Sequence, residues 1–366
     1  MSNIMMLFEP YSLSGLRLGN RIVRAATYEK MADDDGRVTD RLVELYEELA
    51  RGGSGLLITG FALVHPSGRA GPKMLSAHAE SYIERLKELT DAVHREGGLI
   101  ALQLVHGGRQ CPPLLLGGEQ AIAPSEMYDR FTRSNSRAMT EAEIWTVIEA
   151  FGDAAWRARS AGFDAVELHG AHGYLISSFL SPYTNRRDDY WGGDEERRSH
   201  FAEEVLKSVR SAVGGNYPVI MKVNADDLME GGITPEESLR QVRRLEQQGL
   251  DAVEISGGMK DSRVRTIRPD IHRAEDEAYF KDSGKLFKDA LNIPVILTGG
   301  MRSRGVMEGV LERGEADLVG MSRPLIREPD LPNLMRDGKE RADCISCNKC
   351  TRFNKMDYVH CVQLKG

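Results

Sequence analysis

The chain is predicted to fold as a single (β/α)8 barrel followed by a short cysteine-rich tail. Three observations carry that expectation. Short β-branched runs alternate with amphipathic segments about eight times, and each amphipathic segment ends in Gly and runs directly into an apolar strand. The loops that follow strands are long and rich in His, Gly, Pro and Arg, whereas those that precede strands are short. Strict alternation implies parallel strands, and roughly eight units let the sheet close, with chemistry at the carboxyl ends of the strands. An open doubly wound sheet is the alternative, but no G-x-G-x-x-G follows the first strand.

Each element follows from its own pattern. NRIVRAA (20–26) is strand-like, and TDRLVELYEELARGG (39–53) is helical with a Gly stop. GLLITGF (55–61) leads to the helix YIERLKELTDAVHREGG (82–98), and LIALQL (99–104) follows at once. Beyond a long loop to residue 139, TEAEIWTVIEAFGDAAWRARSAG (140–162) opens with a T-x-x-E capping box. FDAVELHG (163–170), a second long loop and EERRSHFAEEVLKSVRSAVG (195–214) come next. The remaining units are YPVIMKVN (217–224), TPEESLRQVRRLEQQG (234–249), LDAVEISGG (250–258), IPVILTGG (293–300), RGVMEGVLERGE (304–315) and ADLVGMSR (316–323). The barrel is assigned to residues 1–338 and the tail to 339–366.

Composition excludes several classes. The 366 residues carry 48 Lys+Arg against 55 Asp+Glu, a net charge of −7, with no basic run of the kind a nucleic-acid surface needs. With 41% hydrophobic and 28% charged residues the chain is a globule with ample core, not a disordered segment. Apolar runs such as GLLITGFALV stop at about ten residues, short of a membrane span. MSNIMMLFEPYS lacks the basic start and apolar stretch of a signal peptide, so a cytoplasmic location is expected. Cys111 stands alone, while Cys344, Cys347, Cys350 and Cys361 crowd the end of the sequence. In a cytosolic chain such crowding suggests a metal or cluster before disulfides.

The fourth strand runs into ELHGAHGYLISSFLSPYTNRRDDYWGG, the most informative stretch. His169 and His172 sit in a Gly-flanked turn that lets the backbone approach a ligand. Metal ligation is one reading, weakened because no carboxylate stands at the helical spacing of a zinc site. Local hydrogen bonding is a second. The third is a pair of imidazole donors aimed at one substrate oxygen where negative charge develops, with Tyr174 supplying a proton.

HGAHGYLISSFLSPYTNRR with the following DDYWGG resembles the signature of the old yellow enzyme family of FMN-dependent oxidoreductases. LFEPYSL…LGNRIVRAATYE, HPSGR, LQLVHGGRQ, LTGGM and GMSRPLIREPDLP resemble further pieces of the family in the same order, across roughly residues 7–337. The resemblance implies FMN, with NADH or NADPH as reductant. It places Ala26, Thr27 and Tyr28 at the flavin N5/O4 edge, where many relatives have Thr or Cys in place of Tyr28. It also implies Gly60 beside the ring, Gln103 at the O2/N3 edge and His169 and His172 over the substrate. Lys222, where relatives often carry Arg, is implied near N1/O2, favouring reduced flavin electrostatically. Gly299, Gly300, Met301, Ser322 and Arg323 fall in the loops where such barrels hold phosphate.

ADCISCNKCTRFNKMDYVHC has the form C-x2-C-x2-C-x10-C. It resembles the C-x2-C-x3-C-x11-C cluster motif of dienoyl-CoA reductases and trimethylamine dehydrogenases, shorter by one residue in each of the last two gaps. A [4Fe–4S] cluster, a Zn2+ site and a metal-free tail all stay open, with Cys344, Cys347, Cys350 and Cys361 as ligands in the first two cases. The expected activity is reduction of an electrophilic alkene, an α,β-unsaturated carbonyl or nitro compound, by NAD(P)H through FMN. The alternatives are an FMN amine or N-methyl dehydrogenase using a tail cluster, a Schiff-base aldolase built on Lys222, and a barrel that only binds. A homo-oligomer is expected, with no nucleic-acid or membrane partner.

Overall fold

The computed structural model describes residues 6–262 and 264–364. The first five residues of the expected barrel segment and the last two of the tail therefore lie outside the described residues. Eight parallel strands form the centre: β1 Ile22–Arg24, β2 Leu56–Ile58, β3 Ile100–Val105, β4 Ala165–Gly170, β5 Val219–Asp226, β6 Ala252–Gly257, β7 Val295–Leu297 and β8 Leu318–Met321. They pair in sequence order, and β8 pairs with β1, so the sheet closes into the expected (β/α)8 barrel. Around it lie α1 Asp40–Arg51, α2 Ile83–Arg95, α3 Glu141–Ser160, a short α4 Leu175–Leu180, α5 Glu195–Val213, α6 Pro235–Gln247, α7 Lys281–Ala290 and α8 Arg304–Glu312. Among the described residues, no helix is long and apolar enough to cross a membrane.

Helix starts follow the side chains at their first turns. Thr39, Thr140, Asp194 and Thr234 each accept a backbone N–H of the following helix, and Thr140 with Glu143 completes the capping box read from the sequence. Each such cap contributes about 1 kcal/mol. Two helices escape the sequence pattern, the first being α4, which falls within the stretch expected as the second long loop. KDSGKLFKDA, which lies in none of the helices read from the sequence, forms α7, and a Cβ on its Gly284 would lie 2.6 Å from the Glu315 carbonyl oxygen. Close packing demands the glycine there, and the glycine with a neighbouring serine hides the helical signal. The loop after β3 also holds three short strands, Ile122–Ala123, Met127–Asp129 and Ser134–Ala138, which sequence alternation did not show.

The barrel lumen is divided by height. At its amino end Ala101, Ala165, Ile220, Ala252, Ile296 and Leu318 pack with Leu13 and Leu18 of the hairpin formed by Tyr11–Leu13 and Leu16–Leu18, which plugs the bottom. Two residues further along the same strands the inward side chains turn polar: Gln103, Glu167, Lys222 and Glu254, all at most 4% exposed. Period-two alternation puts these in the same file as the apolar layer below. The tail runs back across the carboxyl end. Lys30 Nζ donates to the carbonyls of Phe353 and Met356 at 3.0 and 2.6 Å, and Val359 N donates to the Glu29 carbonyl at 2.8 Å.

Candidate active site at the carboxyl end of the barrel

His169 ends β4 pointing inward, and His172 follows in the turn. Their rings meet edge-on with centroids 5.3 Å apart, and the Tyr174 ring stands 4.8 Å from that of His169. The sequence placed these three together, and the structure does the same. Burial, then His172 and Lys222, hold His169 well below the usual histidine pKa, and burial with the charges of Lys222 and Lys260 brings His172 down to about 3. Both imidazoles are therefore neutral near pH 7, each with one N–H to donate. Ala171 N donates to His169 Nδ1 at 3.4 Å, which leaves the His169 proton on Nε2. Tyr174 is fully protonated, because burial first and Cys111 second push its pKa up.

His172 adopts φ +62°, a left-handed conformation costing roughly 1–2 kcal/mol in a residue with a Cβ. Two hydrogen bonds clamp it there. Its N–H donates to Asn224 Oδ1 at 3.0 Å, and its carbonyl accepts from Gln110 Nε2 at 2.7 Å. Asn224 is held in turn by Asp227, which also accepts from Ser181 Oγ at 2.6 Å and Ile233 N at 2.9 Å. Burial raises that Asp227 carboxyl to about 6. His172 Nε2 lies 2.7 Å from Ser256 Oγ. Asn224, Gln110, Ser256 and Asp227 were not singled out from the sequence. Its signal for two of them was polar residues at i and i+2 in apolar strands, K-V-N in β5 and E-I-S in β6.

Beneath the pair lies the buried polar layer. Lys222 Nζ is 2.6 Å from Glu254 Oε1, and Gln103 Nε2 donates to Glu167 Oε2 at 2.6 Å. Burial pulls the Lys222 ammonium down, but Glu254 and Glu167 outweigh it and hold its pKa above the usual lysine value. Burial, then Glu254, drives Glu167 well above the carboxylate range, against Lys222 and Gln103. One lysine thus faces two carboxyl groups, and Glu167 is biased toward its protonated form. The charge expected to act alone at Lys222 is shared with Glu254.

The other expected positions ring the same opening. Thr27 Oγ1 lies 2.7 Å from Ser322 Oγ, joining the ends of β1 and β8 beyond Ala26. The Tyr28 ring stacks on Phe61 at 4.8 Å and meets the tail's Phe353 at 5.2 Å, while its hydroxyl donates to the Pro72 carbonyl. At Gly60 a Cβ would fall 2.1 Å from Glu29 Oε2, so only glycine fits above the Glu29–Tyr46–Arg24 cluster. Gly299 and Gly300 have φ +122° and +78°. A Cβ at Gly300 would strike Ile271 at 2.6 Å and Tyr279 at 2.9 Å. The Met301 side chain is buried in the core, so only its backbone faces the loop. Arg323 turns to the Arg268 carbonyl at 2.9 Å and to Asn348 Oδ1 of the tail.

The donor set fits an FMN. Gln103 and Lys222 offer polar groups in the layer beneath the paired histidines, and Gly299 and Gly300 leave backbone free of side chains in the loop after β7. In the tail, Cys344, Cys347, Cys350 and Cys361 line one small cavity with Arg323 and Arg327. Cys361 Sγ accepts from Arg327 Nη1 at 3.8 Å, and Cys347 Sγ from Gln363 Nε2 at 3.7 Å. Among the described residues, no three His, Cys, Asp or Glu side chains converge closely enough for a single metal ion.

The NADH:flavin oxidoreductase / NADH oxidase family matches residues 6–342. The NADH oxidase of Thermoanaerobacter brockii is 37% identical over 345 residues, covering 93% of this chain and 52% of that protein. The chain thus spans about half the length of that relative. The NADPH dehydrogenase of Geobacillus thermodenitrificans is 36% identical over 327 residues, covering 89% of this chain and 92% of that protein. Among solved structures, a 2-naphthoyl-CoA reductase in complex with 2-naphthoyl-CoA superposes with a TM-score of 0.88 at 31% identity, over 95% of this chain and 54% of the other.

Proposed function

The chain belongs to the NADH:flavin oxidoreductase / NADH oxidase family and is of the old yellow enzyme type, and from that premise we propose that it is an FMN-dependent enzyme using NADH or NADPH to reduce an activated carbon–carbon double bond. The substrate class is an α,β-unsaturated carbonyl or nitro compound. The observation that supports this most is the His169–His172–Tyr174 cluster: two neutral imidazoles and one protonated phenol, with His172 and Tyr174 each packed edge-on against His169 at the barrel mouth.

The chemistry that bound FMN supplies is two-electron carriage between the nicotinamide and the alkene. Gln103 and Lys222 would hold its ring, Gly60 would admit it, and Gly299, Gly300, Met301, Ser322 and Arg323 would surround its phosphate end, Met301 through its backbone. His169 donates from Nε2 to the activating oxygen of the substrate. With Ser256 Oγ donating to His172 Nε2, the His172 proton sits on Nδ1 and serves the same oxygen. Two neutral donors stabilise the negative charge that develops there as the β-carbon accepts hydride, without reorganisation at the moment of reaction. Tyr174 delivers its phenolic proton to the α-carbon, and burial keeps that proton in place until a carbanion-like centre asks for it. The left-handed turn at His172, clamped by Asn224 and Gln110, holds the second donor in register.

The test is direct. Protein purified with FMN should bleach at flavin wavelengths on anaerobic addition of NADPH or NADH and regain its colour on addition of 2-cyclohexenone or a nitroalkene. Failure to bind FMN, or bleaching with no recovery on any activated alkene, would overturn the reading.

A second reading has its own observation. Four thiols lining one cavity beside two arginines suit an anionic metal–sulfur centre. Such a centre would let the barrel pass electrons outward, as an FMN amine or N-methyl dehydrogenase needs. Bleaching by a tertiary amine, and not by NAD(P)H, would select it. The Schiff-base alternative loses ground, because an ammonium paired with Glu254 is a poor nucleophile.

A further inference from the structure

The loop after β6 carries Lys260 to the barrel mouth. Its ammonium sits 3.4 Å from the centroid of the Phe131 ring and 5.9 Å from that of Tyr174. It stands close enough to His172 to lower that imidazole's pKa. Lys260 therefore belongs to the neighbourhood of the proposed proton donor and of the second oxygen-binding imidazole.

The charges around it leave it without an internal counter-ion. Asp261 is its chain neighbour and Asp129 lies on the facing loop, yet both are spent on one other cation. Arg109, only 1% exposed, binds Asp129 Oδ2 at 2.8 Å through Nη1 and Asp261 through Nη2. Among the described residues no carboxylate comes within 4.0 Å of the Lys260 ammonium, and an aromatic face is its nearest partner. The surrounding segment 259–273 holds five Lys or Arg against two Asp in a chain whose net charge is −7. Crowding about the ammonium, opposed by Asp129, lowers its pKa to about 8, so it is mostly cationic near pH 7. A cation held on an aromatic face beside a reaction centre, with its nearby acids already engaged, is arranged to receive an anion from outside.

We propose that Lys260 forms an anion subsite, and that the preferred substrates are activated alkenes carrying a carboxylate beyond the group held by His169 and His172. The proposal rests on the alkene-reducing reading and sharpens it, since that reading names no second polar group on the substrate. Phe131 then has a double part, backing the cation and offering an apolar wall to the chain between the alkene and its carboxylate. Arg109 acts as a positioning residue, keeping Asp129 and Asp261 from neutralising Lys260.

The experiment compares a cyclohexenone bearing a short carboxylate side chain with its own methyl ester, using the FMN-loaded enzyme at pH 7 and low salt. Two quantities are read: kcat/KM, and the dissociation constant from the change each compound makes in the absorbance of oxidised holoenzyme. A charge-assisted contact predicts an acid-to-ester ratio of about tenfold or more in both. In Lys260→Met that ratio should fall to about one, and in Lys260→Glu it should invert. If Lys260→Met lowers acid and ester together and leaves the ratio as it was, the lysine is structural and the proposal is wrong. If the variant instead raises KM for NADPH relative to NADH, the cation reads the reductant's phosphate and the proposal is equally overturned. Should neither compound be reduced by wild-type enzyme that still bleaches with NADPH, the alkene reading falls, while the binding ratio still decides Lys260.

Discussion

Replacing Glu167 by Gln is predicted to stabilise the protein, and increasingly so as the pH rises. Glu167 is fully buried in the lumen, beside Glu254 and hydrogen-bonded to Gln103, and its carboxyl is driven well above the carboxylate range. An acid whose folded pKa is raised contributes its full stability below its unfolded pKa of roughly 4.3 and loses it as pH climbs toward the folded value. Between those two pKa values the native state keeps a proton that the unfolded chain gives up, at a cost of up to about 1.4 kcal/mol per pH unit. Glutamine keeps the shape, still accepts from Gln103, and replaces the acid proton toward Glu254 by an amide N–H, with nothing left to titrate. The assay is urea unfolding of the FMN-loaded protein at pH 5, 6, 7 and 8. The difference between E167Q and wild type should be smallest at pH 5, grow by up to about 1.4 kcal/mol per unit, and level off at the native pKa of Glu167. A deficit, or a difference that ignores pH, would show that Glu167 is ionised in the fold with Lys222 as its counter-ion.

Three further outcomes follow from the same site. Ser256→Ala should lower kcat/KM for alkene reduction about 3–30-fold, the scale of one lost hydrogen bond or somewhat more, by freeing the His172 tautomer, and Ser256→Thr should restore most of it. Glu254→Gln removes the charge that neutralises Lys222, so the flavin midpoint potential should rise; a fall would mean that Lys222 does not face the ring. Protein prepared without oxygen should contain about four iron with acid-labile sulfide, or about one zinc, and Cys350→Ser should abolish either; metal-free protein with four titratable tail thiols would show the tail to be vestigial.

Much of the fold was legible because the barrel repeats one local rule. Gly at a helix end followed by an apolar run marks each αβ junction, and six of the eight outer helices announce themselves this way or by a cap. Of the other two, α4 has no side-chain cap and ends at Ser181 without a glycine, and α7 was hidden because Gly284 serves packing against Glu315 and not a turn. His169, His172 and Tyr174 were legible as a motif, since three functional side chains fall within six residues. Their supports were not, because Gln110, Asn224, Asp227 and Ser256 come from three other segments and meet only when the barrel closes. Lys222 was read for its strand position, but its charge balance depends on Glu254 one strand away, at a register the sequence does not display. Arg323 was expected at the phosphate loop, and its turn toward Asn348 depends on how the tail folds back.

The account rests most heavily on His169 and His172 acting on the substrate and not on the cofactor. Stopped-flow separation of the two half-reactions in His169→Ala and His172→Ala tests this most directly. The account predicts that both variants retain FMN and are reduced by NAD(P)H at rates within a few-fold of wild type, while reoxidation by an activated alkene slows roughly 10²–10³-fold, the scale of one lost oxyanion donor. Equal slowing of both half-reactions, or loss of FMN from either variant, would contradict it.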